Sequence, residues 1–502
     1  MGDVTGGEMS DRERQDDRDR RDDPNRWDDP NRRDDPNRWG GGDWWPAGGR
    51  PGAVDPRATW ARAGEDVVSF ATLRAETGRL ARDLRSYGIR PGSSVAVHGV
   101  PSFTQLWCVL ALWSIGAQVV WLEQSLSAAE RSALLALSTP QFVITLGERY
   151  EDAGVFVGEC EVLVRRRPGG RPARTGHCLV QFSSGTTGRP KAVGRTRASL
   201  LAEVARLAPL PLPRAGERVA VLEPVAHSFA LIGGVLHALT AGASVEFPVS
   251  GAPEALVAAA GRAQVVLGRP HHFAALAGAA PEVRLPLLRL AVSGGDALPE
   301  ATAGAFARRH GVLVGQAYGT TETGLVAADL TGAYGPGCVG APVPGVRTRI
   351  RGGVLQVWVP ESPYPYDPQD APPGGWLTTH DLAARDPATG ALWLRGRDGR
   401  TASGAYLREI EEVLRAHRHV TEAVVLGPDP VEAHVTGPAE LTGAELSAWC
   451  RRFLADQEVP RRFHVVPELV RSASGKVLRD RARLRERGWA PPPPAGRPGR
   501  CR

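Results

Sequence analysis

A chain of 502 residues, 42% of them hydrophobic, is too long for one hydrophobic core and is expected to form roughly two to four domains or subdomains. It has no run of about 18 uncharged apolar residues, which argues against membrane insertion, and it opens on polar, acidic residues rather than a secretory signal. The formal charge of +6 raises nucleic acid as a partner, but the arginines are interspersed with acids instead of forming a stripe with aromatics, so that reading is set aside.

From the N-terminus, residues 1–56 are expected to be a disordered tail. Asp22-Asp23-Pro24-Asn25-Arg26-Trp27 is followed by two more copies of this six-residue unit, and so short a charged, proline-containing period cannot bury a core. Helical periodicity marks 70–84, a short strand is expected at 94–97, and 103–113 is apolar enough for a buried helix. The stretch 106–122 as a whole reads as a buried helix passing into a strand. Short apolar runs at 218–222, 265–267 and 288–292 suit parallel strands covered on both faces. This alternation predicts a layered α/β architecture for 57–394. Two glycines and alternating charge in 395–400 mark a hinge. A small α+β domain is expected at 401–485, with helices at 408–416 and 443–456, and a second tail at 486–502. Cys108, Cys160, Cys178, Cys338, Cys450 and Cys501 lack paired metal or redox spacing, which fits reduced thiols in the cytoplasm.

Among 61 Lys plus Arg, only Lys191 and Lys476 are lysines. Arginine replaces lysine on most surfaces, but not where a compact ammonium must act on a phosphate or beside a reacting carboxylate. Both lysines are therefore site candidates. Lys191 closes the small-residue run Ser183-Ser184-Gly185-Thr186-Thr187-Gly188-Arg189-Pro190, which follows an apolar strand. Small residues let backbone N–H groups approach phosphate oxygens, the hydroxyls add donors and the lysine adds charge. The spacing is not that of a Walker loop. Lys476 lies in Ser474-Gly475-Lys476-Val477-Leu478-Arg479. The adjacent His271 and His272 are expected to point apart as surface residues rather than to bind a metal.

Four further segments occur in order between the two lysine loops: Val225-Ala226-His227-Ser228-Phe229, Ser293-Gly294-Gly295-Asp296-Ala297-Leu298, Tyr318-Gly319-Thr320-Thr321-Glu322-Thr323 and Gly375-Trp376-Leu377-Thr378-Thr379-His380-Asp381-Leu382. Together with the lysine loops they resemble the motifs of the adenylate-forming superfamily, which comprises acyl- and aryl-CoA synthetases, nonribosomal peptide adenylation domains and luciferases. The resemblance covers about residues 57 to 485. It implies an α/β fold in which a large N-terminal layered domain of the acyl-CoA synthetase type carries a small mobile α+β C-terminal domain. The implied reaction is ATP- and Mg²⁺-dependent activation of a small carboxylic acid to an acyl-adenylate, with release of pyrophosphate. Transfer to coenzyme A would follow, the alternatives being a carrier-protein phosphopantetheine thiol or an amine as acceptor, or a non-catalytic scaffold.

The resemblance also implies residue roles. Ser183, Ser184, Gly185, Thr186, Thr187, Gly188 and Lys191 would form the phosphate loop, with Thr186, Thr187 and Lys191 on the β/γ-phosphates. Gly294, Gly295 and Asp296 would form the adenine turn. Tyr318 would stack on adenine beside Gly319 and Thr320, Thr321 would contact the α-phosphate, and Glu322 would ligate Mg²⁺. Asp381, helped by Arg397, would bind the ribose, and Lys476 would bridge the substrate carboxylate and the α-phosphate. His227 would stand beside the carboxylate pocket, where amino-acid-activating relatives have an aspartate near this position, which argues for an acyl or aryl acid. Charge developing between two anions explains why lysine and metal are needed.

Three departures stand out. Ala192 occupies a usual glycine position, tolerable if its φ is negative. His380 replaces the glycine before the ribose aspartate. The hinge segment after Gly396 is about four residues shorter than the usual pattern, a change expected to bear on the second half-reaction more than the first.

Overall fold

The computed structural model describes residues 54–148, 156–183, 191–335, 337–366, 374–397, 407–427, 430–454, 456, 458–471, 477–479 and 481–486. Both expected tails, apart from residues 54–56 and 486, therefore lie outside the described residues, as does the second half of the expected hinge, 398–400.

Two parallel-rich sheets form the large domain. The first has the strand order Val162–Arg166, Phe142–Leu146, Ser94–Gly99, Gln118–Leu122, His177–Ser183, Lys191–Thr196. Its four central strands run parallel, and antiparallel strands close both edges. The second has nine strands, with Val314–Thr320, Leu290–Gly294, Val265–Gly268, Arg218–Val221, Ser244–Phe247 and Thr59–Ala63 successive and parallel. The apolar runs read from the sequence are these buried strands, because a strand covered on both faces has no polar side to alternate with.

Between the sheets lies the helix Phe103–Ile115, apolar all round and buried at all but one of its positions. Ser102 caps it by accepting from the Gln105 N–H at 3.0 Å, and Gly116 ends it at a φ of +85° that a Cβ would disfavour. Trp60, Trp107 and Trp113 are among the largest fully buried side chains here. The helix Phe70–Ser86 packs beside it with Phe70, Leu73, Leu80 and Leu84 inward.

A four-stranded antiparallel sheet, from Thr348–Arg351 to Leu392–Arg397, follows. The smaller C-terminal part is a three-stranded sheet of Glu422–Leu426, Glu432–Thr436 and Arg462–Val466, with the helices Leu407–Arg415 and Gly443–Cys450. The second of these helices stops six residues before the expected Asp456. The paired histidines also depart from expectation. In the helix Pro270–Ala277 their rings approach to 4.0 Å, and His272 is buried, its Nδ1 accepting from the Arg269 N–H at 3.0 Å. Turning inward to cap its own helix start satisfies a donor that the first turn leaves without an intrahelical partner. Among the described residues no helix is long and apolar enough to cross a membrane.

Candidate active site

Parallel strands deliver their C-terminal ends to one side of a sheet, and ligands of open α/β sheets settle outside those ends. In the first sheet, Glu123 follows directly on Gln118–Leu122, and His177–Ser183 runs into the glycine-rich loop. In the second, Glu223 and His227 follow Arg218–Val221, Arg269 follows Val265–Gly268, and Gly295 and Asp296 follow Leu290–Gly294. Val314–Thr320 carries Tyr318 and leads into Thr321 and Glu322. The two edges meet each other here. Ser228 Oγ donates to Gln181 Oε1 at 2.6 Å, the Gln181 amide donates to the Ala226 carbonyl, and Glu123 Oε1 lies 3.7 Å from His227 Nε2.

Tyr318 and Asp381 come together across the two motifs that bear them. The buried Tyr318 hydroxyl donates to Asp381 Oδ2 at 2.5 Å, and Asp381 is the cross-strand register partner of Arg397. Thr379 Oγ1 accepts from the Asp381 N–H at 3.1 Å, which fixes the carboxylate's backbone. His380, at a position where the resembling motif has glycine, adopts a left-handed backbone that favours glycine, with φ at +61°. Ala192, in contrast, sits in the strand Lys191–Thr196 without a positive φ, so the condition for its tolerance is met.

The turn carrying Glu322 is braced from below. Arg195 and Glu203, both buried, pair at 2.7 Å, and Glu203 also accepts from the Leu325 N–H at 2.8 Å. Gly324 is required beside them, because its φ is +69° and a Cβ would lie 2.1 Å from the Glu203 carboxylate.

Ser184, Gly185, Thr186, Thr187 and Gly188 lie outside the described residues, as does Lys476. Ser183 and Lys191 are register partners at the ends of two antiparallel strands, which closes the base of the glycine-rich loop. Lys191 Nζ stands 3.7 Å over the Tyr364 ring, a favourable cation–π contact. On the other lysine loop, Arg471 and Val477 form an antiparallel bridge. Arg479 Nη1 and Nη2 donate to Glu411 at 2.7 and 3.0 Å, tying that loop to the helix Leu407–Arg415. Burial works against the charged form of Arg479, but Glu411, with Asp296 of the large part adding, holds its pKa raised. Loss of solvent and then the charge of Arg471 both disfavour the imidazolium form of His271. The small C-terminal part thus faces the same strand edge as the motifs of the large part.

Sequence reasoning missed Glu123, Glu223 and Arg269. Arg269 donates from Nε to Glu223, and both side chains are buried. Each of the three follows a short apolar run directly or by one residue. A charge at the end of a buried parallel strand points at the ligand edge, and that is the signal that identifies them. Among the described residues, Glu432, His434 and His464 could converge on a cation, with ligand atoms within 4.8 Å of one another. Glu432 is already paired with Arg481 and Arg485, so this group reads as the ion-paired core of the small sheet.

The model of the AMP-binding enzyme family matches residues 50–360, and that of the AMP-binding enzyme C-terminal domain matches residues 409–476. A feruloyl-CoA synthase of Amycolatopsis sp. is 29% identical over 485 residues, covering 88% of this chain and 98% of the relative. A 2-succinylbenzoate--CoA ligase of Bacillus licheniformis is 26% identical, covering 83% and 94%. Among solved structures, ATP-bound MatB from Rhodopseudomonas palustris superposes with a TM-score of 0.72 at 22% identity, covering 86% of this chain and 96% of that one. O-succinylbenzoate coenzyme A synthetase (MenE) from Bacillus subtilis, in complex with ATP and magnesium ion, gives 0.72 at 22% identity, covering 88% and 99%. With its layered α/β large domain and smaller C-terminal domain, this chain belongs to the AMP-binding enzyme family.

Proposed function

We propose that this enzyme is an AMP-forming acid–thiol ligase. It joins a carboxylic acid to the α-phosphate of ATP, releasing pyrophosphate, and then transfers the acyl group to the thiol of coenzyme A. The observation that carries this reading is the meeting of Tyr318 and Asp381 at the strand edge, beside the turn that presents Thr321 and Glu322.

The residues fit a nucleotide. Ser293 Oγ is buried without a hydrogen-bond partner among the described residues, at the start of the glycine turn, and offers a polar contact to a base. Asp381 accepts from ribose hydroxyls while Tyr318 holds its carboxylate in place. Lys191 and the hydroxyls of Thr186 and Thr187 bind the departing phosphates, and Thr321 orients the α-phosphate. Glu322, on the turn that the Arg195–Glu203 pair braces, would hold Mg²⁺, which would neutralise phosphate charge. Lys476 binds the acid's carboxylate and the α-phosphate together, bringing the two reacting anions into one geometry. We place the hinge at 395–400, between a large domain at 57–394 and a lid at 401–485. Closing the lid differently for each half-reaction lets one site serve both. Free cysteines among the described residues and the metabolic chemistry of the reaction support a cytoplasmic setting.

Acid-dependent exchange of labelled pyrophosphate into ATP tests the first half-reaction, and exchange absent across a broad acid panel would sink it. Consumption of coenzyme A with the same acid tests the second. Exchange without that consumption would move the acceptor to a carrier-protein thiol or an amine.

A further inference from the structure

Glu123, Glu223 and Arg269, none of them in the motifs read from the sequence, gather charge beside His227, which is in one of them. The bookkeeping of charge is uneven. Arg269, with 8% of its side chain exposed, closes on Glu223, which is 1% exposed, so the one arginine at this place is already in contact with a carboxylate. Glu123 adds a second carboxylate beside that pair. It lies beside His227 with 25% of its side chain open to the cleft. Loss of solvent pushes its carboxyl up to about 7, with the nearby Glu223 adding to the rise and Arg269 opposing it. A surplus carboxylate in a partly dry cleft is stabilised by a cation brought to it and destabilised by another anion.

The surroundings define the rest of the ligand. Phe229 lies on the turn Phe229–Leu236, whose helix is locally widened, a feature frequent at functional sites. Its ring sits so close to Gly294 that a Cβ there would lie 3.0 Å from it. The segment that carries His227 therefore also carries an apolar wall, and a second carboxylate on the substrate would meet two glutamates and one arginine that is already engaged.

We propose that the acid activated here carries a basic amine elsewhere than on its α-carbon, and that Glu123, backed by His227 and the Glu223–Arg269 pair, receives the ammonium. This rests on the adenylating reading above. The binding step transfers no atoms: the ammonium donates its hydrogen bonds to the carboxylate, while the substrate's own carboxylate remains free to react.

Pyrophosphate exchange with matched acids tests it. The pairs are 3-(aminomethyl)benzoate against 3-methylbenzoate and 4-aminobutyrate against pentanoate, with glutarate as the dianion. In at least one pair, kcat/KM for the amine is expected to exceed that of its neutral partner by about tenfold or more, the scale of one charged hydrogen bond. Glu123→Gln should bring that ratio close to one and Glu123→Asp should restore part of it. Should Glu123→Gln lose all exchange, calorimetric binding of the amine and neutral acids to the folded variant reads the same ratio. Neutral acids or glutarate winning in the wild type, or an undiminished amine preference in Glu123→Gln, would overturn the proposal while leaving adenylation intact. Exchange with none of these or any other acid would instead remove the adenylation reading, and this inference with it.

Discussion

Lys476 is one of two lysines in a chain that otherwise uses arginine for its cations, and a point charge is what an in-line attack on phosphate requires. Lys476→Ala should lower the acid-dependent exchange rate by about 10²- to 10³-fold, the scale of one preorganised transition-state contact. Lys476→Arg should rescue little, because a planar fork cannot take the ammonium's place; wild-type exchange in either variant would refute the role. His380 makes a different argument. A side chain held at φ +61° is strained by about 1–2 kcal/mol, and glycine relieves that strain while adding freedom to the unfolded chain. His380→Gly should therefore leave the melting temperature unchanged or raise it by a few degrees. A clear fall in melting temperature would show that the imidazole makes a stabilising contact.

At the scale of elements, the small sheet concentrates groups that dislike acid. The rings of His434 and His464 stack at 4.4 Å on neighbouring strands, and burial lowers the pKa of both. Each contributes stability that is present above the ordinary histidine value of about 6.5 and is lost as pH falls from there towards the folded pKa. Burial favours protonated Glu432, but hydrogen bonds from Arg485 and His434 outweigh it and its pKa is lowered. Its contribution is present above the ordinary glutamate value of about 4.5 and is lost as pH falls further. All three act in the same direction. Unfolding of the C-terminal domain, followed by the fluorescence of Trp449 against a Trp449→Phe control, should shift to lower temperature as pH drops from 7 to 5. The shift should shrink in His434→Gln/His464→Gln. A domain insensitive to pH across that window would contradict the assignment.

On the scale of the whole molecule, Arg483 of the C-terminal part donates to Glu130 of the large part at 3.0 Å. Both groups are substantially exposed, and a surface pair of this kind contributes only about 0–1 kcal/mol. It can hold a posture without locking it. In this posture Arg479 feels Asp296 and Arg471 approaches His271, so the flanks of the Lys476 loop lie over the strand edge. A bifunctional thiol reagent joining Glu130→Cys to Arg483→Cys should preserve pyrophosphate exchange and abolish thioester formation. If both half-reactions survive the cross-link, the lid does not need to leave this posture.

Much of this was legible in the sequence alone. Apolar runs such as Val265 to Leu267 and the largely apolar Phe103–Ile115 helix declare buried strands and a sandwiched helix, because local hydrophobic pattern suffices to assign an element that is covered on every side. The ordered motifs named Tyr318, Glu322, Asp381 and the two lysines as candidates, and of these the structure joins Tyr318 to Asp381, while Lys476 lies outside the described residues. The tertiary structure alone decided which charges share a cleft. Glu123 lies on one sheet and Glu223 and Arg269 on another, and no periodicity relates residues brought together by the meeting of two sheet edges. It also turned His272 inward, against an expectation drawn from neighbours in sequence. Short-range pattern fixes what each segment becomes; the long-range packing of those segments fixes which side chains share a dielectric, and so what the site recognises.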